Sequence, residues 1–258
     1  MMKTEKVKIP IKTKKNIAAA IHYPEIETDK LAVLCPGNLD TKDYNHLIKL
    51  AETLSKEGYT TVRFDPLGTW ESDGQDADYS VSRYLKDVAS VLDFMLSRKS
   101  YKTILLGGHS RGGEISILYA AQDPRISIVV PIMPPTPISA EELKGDKYTN
   151  WKKQGFYLST RDIPGSSETK SFKLPYDHLT DRLKFNSIQA VKKIHTPIIF
   201  VAGELDKVCL PEEVKILFDN ANEPKRYLFL RGIGHGYRRS VAEIDIVNAE
   251  ILKTLQIL

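Results

Sequence analysis

Short apolar runs alternate along the chain with longer stretches of helical periodicity. The runs at 31–35, 60–64, 103–106, 127–131, 198–202 and 226–230 carry at most one charge each and end in turn-forming residues. Continuous runs of this length read as strands buried on both faces of a mostly parallel sheet. A further pair, at 7–11 and 17–23, opens the chain and reads as antiparallel. Between the runs, residues 44–57 place Leu47, Ile48, Leu50, Ala51 and Leu54 on one helical face. Residues 81–96 do the same with Tyr84, Leu85, Val88, Val91, Leu92 and Met95. Further helices are predicted at 114–121, at 211–218 behind a leading proline, and at 242–255. Strand–helix alternation predicts an α/β fold with right-handed crossovers and helices on both faces of one sheet.

One segment breaks the rhythm. Residues 134–195 hold Pro134, Pro135, Pro137, Pro164 and Pro175, with Trp151, Phe156, Tyr157, Phe172, Tyr176 and Phe185 scattered among them. So many rings argue against disorder. The segment reads as a small cap inserted into a core made of 1–133 and 196–258, with its rings available to line a pocket. The length of 258 residues suits one such domain with a sizeable core.

Composition narrows the partners. The net charge of +4 is a mild excess of 37 basic over 33 acidic residues. Its densest cluster, Lys3, Lys6, Lys8, Lys12, Lys14 and Lys15, alternates with Val7, Ile9 and Ile11 and reads as a solvated strand face. No nucleic-acid or membrane partner is therefore expected. The first residues contain no apolar signal region, and no apolar run reaches membrane length. Cys35 and Cys209 are too few for a disulfide framework. The expected setting is cytoplasmic, with both thiols reduced.

The stretch GGHSRGG, Gly107 to Gly113, follows the apolar run 103–106 directly. Within it, Gly108-His109-Ser110-Arg111-Gly112 is G-x-S-x-G between a strand and a helix, a sharp turn that lifts the serine Oγ clear of the sheet. Gly108 and Gly112 let strand and helix approach one another. The P-loop lysine with its following Ser/Thr is absent, and G-x-G-x-x-G is not matched. A serine hydroxyl needs a base, and in this setting the partners follow in the order Ser, acid, His. Of six histidines, His235 lies in Gly232-Ile233-Gly234-His235-Gly236 behind the last apolar run and is the expected base. His109 adjoins the serine, so its side chain must point elsewhere. His22 and His46 precede the serine and read as surface histidines. His195 enters a strand at its N-terminal end, the wrong edge for a site. For the acid, Asp206 is preferred to Glu204; both leave the run 198–202. An oxyanion hole needs two backbone donors. Arg111, after the serine, is one. Asn38, in Cys35-Pro36-Gly37-Asn38, is the other, since Pro36 has no N–H. No His/Cys cluster shows ligand spacing, so neither metal nor cofactor is expected.

These motifs, with Arg63-Phe64-Asp65-Pro66-Leu67-Gly68 and Ser72-Asp73-Gly74, make the chain resemble the α/β-hydrolase superfamily over nearly its whole length. Within it the chain is most similar to bacterial feruloyl (cinnamoyl) esterases, which carry a small cap at the corresponding place. Two departures stand out. Pro36-Gly37 stands where the family often has His-Gly, and Gly68-Thr69-Trp70 where it often has Gly-His-Gly. The bulky Trp70 either narrows the pocket or packs structurally. The resemblance implies a serine hydrolase that cleaves short-chain or aryl esters of small molecules through an acyl-enzyme. The same triad also serves peptidases, thioesterases and acyltransferases. A non-catalytic binding relative would have no need of serine, acid and histidine together.

Overall fold

Leu31, Val33 and Cys35 face one apolar layer while Ala32 and Leu34 face the opposite one. Such a strand must be covered on both sides, and its neighbours repeat the pattern. In the computed structural model, which describes residues 3–257, eight strands form one sheet. The outermost ends of the expected core, 1–2 and 258, lie outside the described residues. In chain order the strands are β1 (Lys3–Pro10), β2 (Asn16–Tyr23), β3 (Lys30–Cys35), β4 (Tyr59–Phe64), β5 (Thr103–His109), β6 (Ile128–Ile132), β9 (Ile198–Gly203) and β10 (Lys225–Leu230). Their order across the sheet is β1-β2-β4-β3-β5-β6-β9-β10. β1 and β2 pair antiparallel, β2 meets β4 antiparallel, and every pairing from β4 to β10 is parallel. Lys3, Lys6 and Lys8 lie on the exposed side of edge strand β1, as their alternation with Val7 and Ile9 predicts.

Helices α2 (Val81–Arg98), α3 (Arg111–Ala120) and α7 (Pro211–Asn220) bury their apolar stripes in the layer that holds Val33. Helices α1 (Asn45–Lys56) and α8 (Val241–Leu255) cover the other face. In α1 the residues buried are Leu47, Leu50, Ala51 and Leu54, the predicted stripe less Ile48. Ser80 caps α2 by accepting from the Arg83 N–H, and Ser240 does the same for α8 through Glu243.

Residues 134–195 contain α4 (Asp146–Gln154), a hairpin of β7 (Phe156–Asp162) and β8 (Thr169–Pro175), α5 (Tyr176–Arg182) and α6 (Ser187–Val191). The hairpin escapes a period-two reading because only Ser159, Phe172 and Leu174 of its residues are buried. Trp151 fills the space behind it. The indole stacks on His178, packs on Tyr157 and donates to the Leu174 carbonyl at 3.2 Å. Several contacts fasten the segment to the rest of the domain, among them these. Tyr44 Oη donates to the Asp162 carbonyl, Ser82 donates twice to Asp181, and Trp70 packs edge-on against Phe172. Trp70 thus packs structurally, and its Nε1 is bound to the Leu39 carbonyl at 2.8 Å.

Asp65, in the predicted motif after β4, is fully buried. It accepts from Thr41 Oγ1, the Lys42 N–H and Lys42 Nζ, and so fixes the loop that leaves β3. Removing one member of such a buried pair leaves a charge uncompensated, at a cost of about 3–5 kcal/mol.

The glycines of the opening motif are dictated by contact. A Cβ on Gly112 would lie 2.0 Å from the Cys35 carbonyl oxygen, and one on Gly108 would lie 2.3 Å from it. The end of β3 therefore passes directly over the β5–α3 turn. Gly112→Ala is expected to lower stability by more than about 3 kcal/mol or prevent folding, since the obstacle is backbone. Gly236→Ala, with open space and a negative φ, is expected to stay within about 1 kcal/mol. Urea denaturation of both variants checks the contrast.

Candidate active site

The C-terminal ends of four parallel strands, two on either side of β6, supply the site. β3 leads to Asn38, β5 to Ser110, β9 to Asp206 and β10 to His235. Ser110 sits at φ 54°, ψ −119° between β5 and α3. A non-glycine residue at positive φ costs on the order of 1–3 kcal/mol and persists only where its surroundings fix it. Here the Ser110 N–H donates to the Ile132 carbonyl at 2.8 Å, and the glycines on either side admit the backbone of β3.

Ser110 Oγ lies 3.0 Å from His235 Nε2, and His235 Nδ1 lies 2.7 Å from Asp206 Oδ2. The carboxylate can only accept, so Nδ1 carries a proton and Nε2 is left to accept from the serine hydroxyl. The other oxygen of Asp206 accepts from the Val208 and Cys209 N–H groups at 2.8 and 2.9 Å. Asp206 is 2% exposed, so its lone pairs are committed and its orientation is set.

Glu204, the alternative acid, is exposed and turned to the far end of the same loop, where it accepts from the Gly232 N–H at 2.8 Å. The loop carrying His235 rests on Gly203, whose Cβ would meet the Ile233 carbonyl oxygen at 2.5 Å. Leu205 N–H donates to that same carbonyl. Thus the strand that bears Asp206 also positions His235.

Asn38 and Arg111 flank Ser110 in the cavity wall. Neither backbone N–H has an acceptor among the described residues. The Asn38 carbonyl receives two bonds from Arg161, at 2.8 and 3.1 Å, and its side chain faces Tyr79 Oη at 3.3 Å. Two free donors beside a serine hydroxyl can hold a developing oxyanion.

Two readings need correction. His22 and His46 are not surface residues; they are 3% and 2% exposed. His22 accepts from Arg63 Nε at 2.9 Å. His46 lies on the inner face of α1, against His109 and Tyr237. His109 does point away from the turn, and its ring lies 4.6 Å from that of His235. Donor atoms of Asp40, His46 and His109 come within 4.8 Å of one another, so a grouping of ligand type exists where none was expected. Sequence spacing hides it because the three come from a loop, a helix and a strand. Both ring nitrogens of His46 and of His109 lack hydrogen-bond partners. Burial pushes the His46 pKa down to about 3, helped by the charges of Arg238 and His235.

The cavity in front of Ser110 has a volume of about 630 Å³. Charge, not aromatic surface, dominates its wall. Arg111, Lys147, Arg161, Arg182, Arg238 and Arg239 line it, while Tyr148 comes from the inserted segment. Of the six rings expected there, Trp151 and Tyr157 reach only a side recess. Cys209 also lines the cavity, and burial together with the Asp206 charge raises its thiol pKa. Cys35 is buried, and its pKa is raised by desolvation.

The architecture is that of one class. The sequence model for the alpha/beta hydrolase fold matches residues 31–184, and the chain belongs to that family. The matched span contains Asn38, Ser110 and Arg111 but ends before Asp206 and His235. Among individual proteins, the chain is 24% identical over 242 residues to a 31.7 kDa protein of the traX-finO intergenic region in Escherichia coli, covering 81% of this chain and 84% of that one. It is 23% identical to the polyketide transferase GrgF of a Penicillium species, covering 83% of each. The crystal structure of GrgF superposes with a TM-score of 0.78 over 96% of both chains, at 19% identity. Est1E from Butyrivibrio proteoclasticus, with ferulic acid bound, superposes with a TM-score of 0.77 over 97% of this chain and 98% of that one, at 19% identity.

The buried His46 ring makes a sharp prediction. Its folded pKa is depressed, so as pH falls below 6.5 the unfolded chain takes up the proton first. Stability is then lost progressively down to about pH 3, where the folded state titrates. His46→Phe removes this loss. Between pH 6 and 4 the native protein should lose stability more steeply than the variant, by up to about 1.4 kcal/mol per pH unit. Urea denaturation of both proteins at several pH values measures the difference.

Proposed function

We propose that the protein hydrolyses carboxylic esters of small molecules through an acyl-enzyme on Ser110. The observation that carries this reading is the unbroken line from Asp206 through His235 to Ser110 Oγ, at 2.7 and 3.0 Å, opening onto a cavity of substrate size. His235 Nε2 takes the hydroxyl proton as Oγ attacks the ester carbonyl. The N–H groups of Asn38 and Arg111 receive the oxyanion. As the tetrahedral intermediate collapses, the C–O bond to the alcohol breaks and His235 returns the proton to the leaving oxygen. Water then enters, gives a proton to His235, attacks the acyl-enzyme and releases the acid, while the proton passes back to Ser110. Asp206 holds the imidazole tautomer and offsets the charge of the imidazolium in both steps.

A second reading has support from the likeness to GrgF, a polyketide transferase by name. The acyl group would pass to an acceptor other than water through the same first step. Added alcohols that raise the rate of leaving-group release and appear in the product would favour it. A wall of charged groups is a poor match for a long alkyl chain in either case. Short-chain p-nitrophenyl esters should be cleaved in preference to those of twelve or more carbons, as a chain-length series would show.

Ser110→Ala should fold and lose at least about four orders of magnitude in kcat towards a p-nitrophenyl ester. Labelling by a phosphonate inhibitor should vanish with it, and an adduct on another residue would overturn the assignment. Asp206→Asn should lower kcat by about 10⁴ through the wrong tautomer of His235. Glu204→Gln should stay within about threefold, because its carboxylate contacts only the loop backbone. Steady-state kinetics of the two acid variants, compared side by side, decides between them.

A further inference from the structure

A small recess opens beside Ser110, lined by Asn38 and Arg111 but not by His235. The leaving alcohol must face His235 to be protonated, so this recess lies on the acyl side of the ester. Its wall holds an unbalanced set of cations. Arg111 is 6% exposed and pairs through Nη1 with Glu114, which is itself 1% exposed. Arg182 approaches the same Glu114 oxygen at 3.9 Å, reaches the Thr136 carbonyl at 3.5 Å and interacts with the Tyr148 side chain. Lys147 has no ion pair among the described residues; its ammonium lies over the rings of Tyr148 and Tyr157, 5.4 and 5.5 Å from their centroids. Arg111 and Arg182 therefore share one carboxylate, and the acidic charge that acts on Lys147 is that of Glu142. The carboxylates nearby also have partners of their own. Glu142 accepts from the Ser139 N–H at 2.7 Å, Asp162 pairs with Arg238 and Arg239, and Asp40 faces Arg161.

Two guanidinium N–H groups in this wall, Arg111 Nε and Arg182 Nε, are buried with no acceptor. A buried donor left unpaired costs about 1–3 kcal/mol, and an acceptor that arrives with the substrate relieves it. Desolvation and the neighbouring guanidinium groups also lower the pKa values of Lys147 and Arg182, against the opposing charges of Glu142 and Glu114.

We propose that this wall binds a carboxylate at the distal end of the acyl group, so that the substrate is an ester of a dicarboxylic acid, with Arg111, Arg182 and Lys147 as its specificity-determining residues. This deepens the ester-hydrolase reading and rests on it. The fork of an arginine matches a carboxylate with two parallel hydrogen bonds, and the lysine adds a point charge at the rim.

The test compares mono-p-nitrophenyl glutarate with p-nitrophenyl pentanoate, which share the acyl chain but differ in the terminal group, after subtraction of the uncatalysed rates. The native protein should prefer the glutarate ester by about tenfold or more in kcat/KM, expressed mainly in KM. Lys147→Gln and Arg182→Gln should each reduce that preference by about tenfold, whereas a merely structural defect would lower both rates and leave their ratio. A native preference at or below unity, or an unchanged ratio in both folded variants, would overturn the proposal. A third ester ending in a phosphonate addresses the other anion of this geometry; a tenfold preference for it over the glutarate ester would overturn the carboxylate assignment. Calorimetry with glutaric acid monoamide on Ser110→Ala separates the two readings. Saturable binding that Lys147→Gln in the same background weakens, with neither ester turned over by the native protein, would uphold the anion site and sink the hydrolase reading.

Discussion

The carbonyl end of β3 crosses the turn between β5 and α3 so closely that no side chain fits beneath it. Cys35 O would lie 2.0 Å from a Cβ on Gly112 and 2.3 Å from one on Gly108. Much of the site follows from this contact. It presses the turn into the conformation that presents Ser110 at φ 54°. It also brings the loop after β3 beside the start of α3, so that Asn38 and Arg111 share one wall. The approach is held from outside as well. Tyr84 Oη donates to the Pro36 carbonyl at 2.9 Å, and Asp65 fixes Thr41 and Lys42. A nucleophile on a strained turn can keep its position only if the surroundings are stiffer than the strain is large.

His235 depends on a similar close approach at the next strand pair, where Gly203 admits the Ile233 carbonyl. Asp206 and Glu204, two residues apart, point in different directions because the chain turns directly after β9 ends at Gly203, where residues i and i+2 no longer share a face. Asp206 turns inward to the imidazole and two backbone N–H groups, and Glu204 turns outward to Gly232. The pair laces one glycine-rich loop from both ends.

What could be read from the sequence was whatever local chemistry forces. Uninterrupted apolar runs marked the strands of the parallel sheet, and the glycine spacing around Ser110 marked the turn, because both reflect contacts that leave no alternative residue. His235 and Asp206 were legible through chain order. The hairpin of β7 and β8 was not, since it buries too few of its residues to imprint an alternation. Nor was the burial of His46, a polar residue on the inner stripe of α1 that propensity assigns to the outside. The cationic wall was hidden for another reason. Arg111 and Glu114 belong to α3, Lys147 to α4 and Arg182 to α5, and only the tertiary fold brings them together. The aromatic residues drew attention in the sequence, yet Phe172 and Trp151 pack the hairpin onto the domain instead of lining the main cavity.

The distribution of charge around the serine also has a sense of direction. Beside His235 the cations are matched: Arg238 and Arg239 meet Asp162, and Arg161 meets Asp40 and the Asn38 carbonyl. In the proposed reaction the imidazole takes up a proton, and the buried Asp206 carboxylate beside it supplies the opposite charge. The surplus of cations lies around Arg111 and Arg182, which also line the recess that His235 does not reach. In the proposed reaction this distribution favours an anionic acyl group in the recess. It is sustained by the inserted segment, which contributes Lys147 and Arg182 to one side and Asp162 to the other.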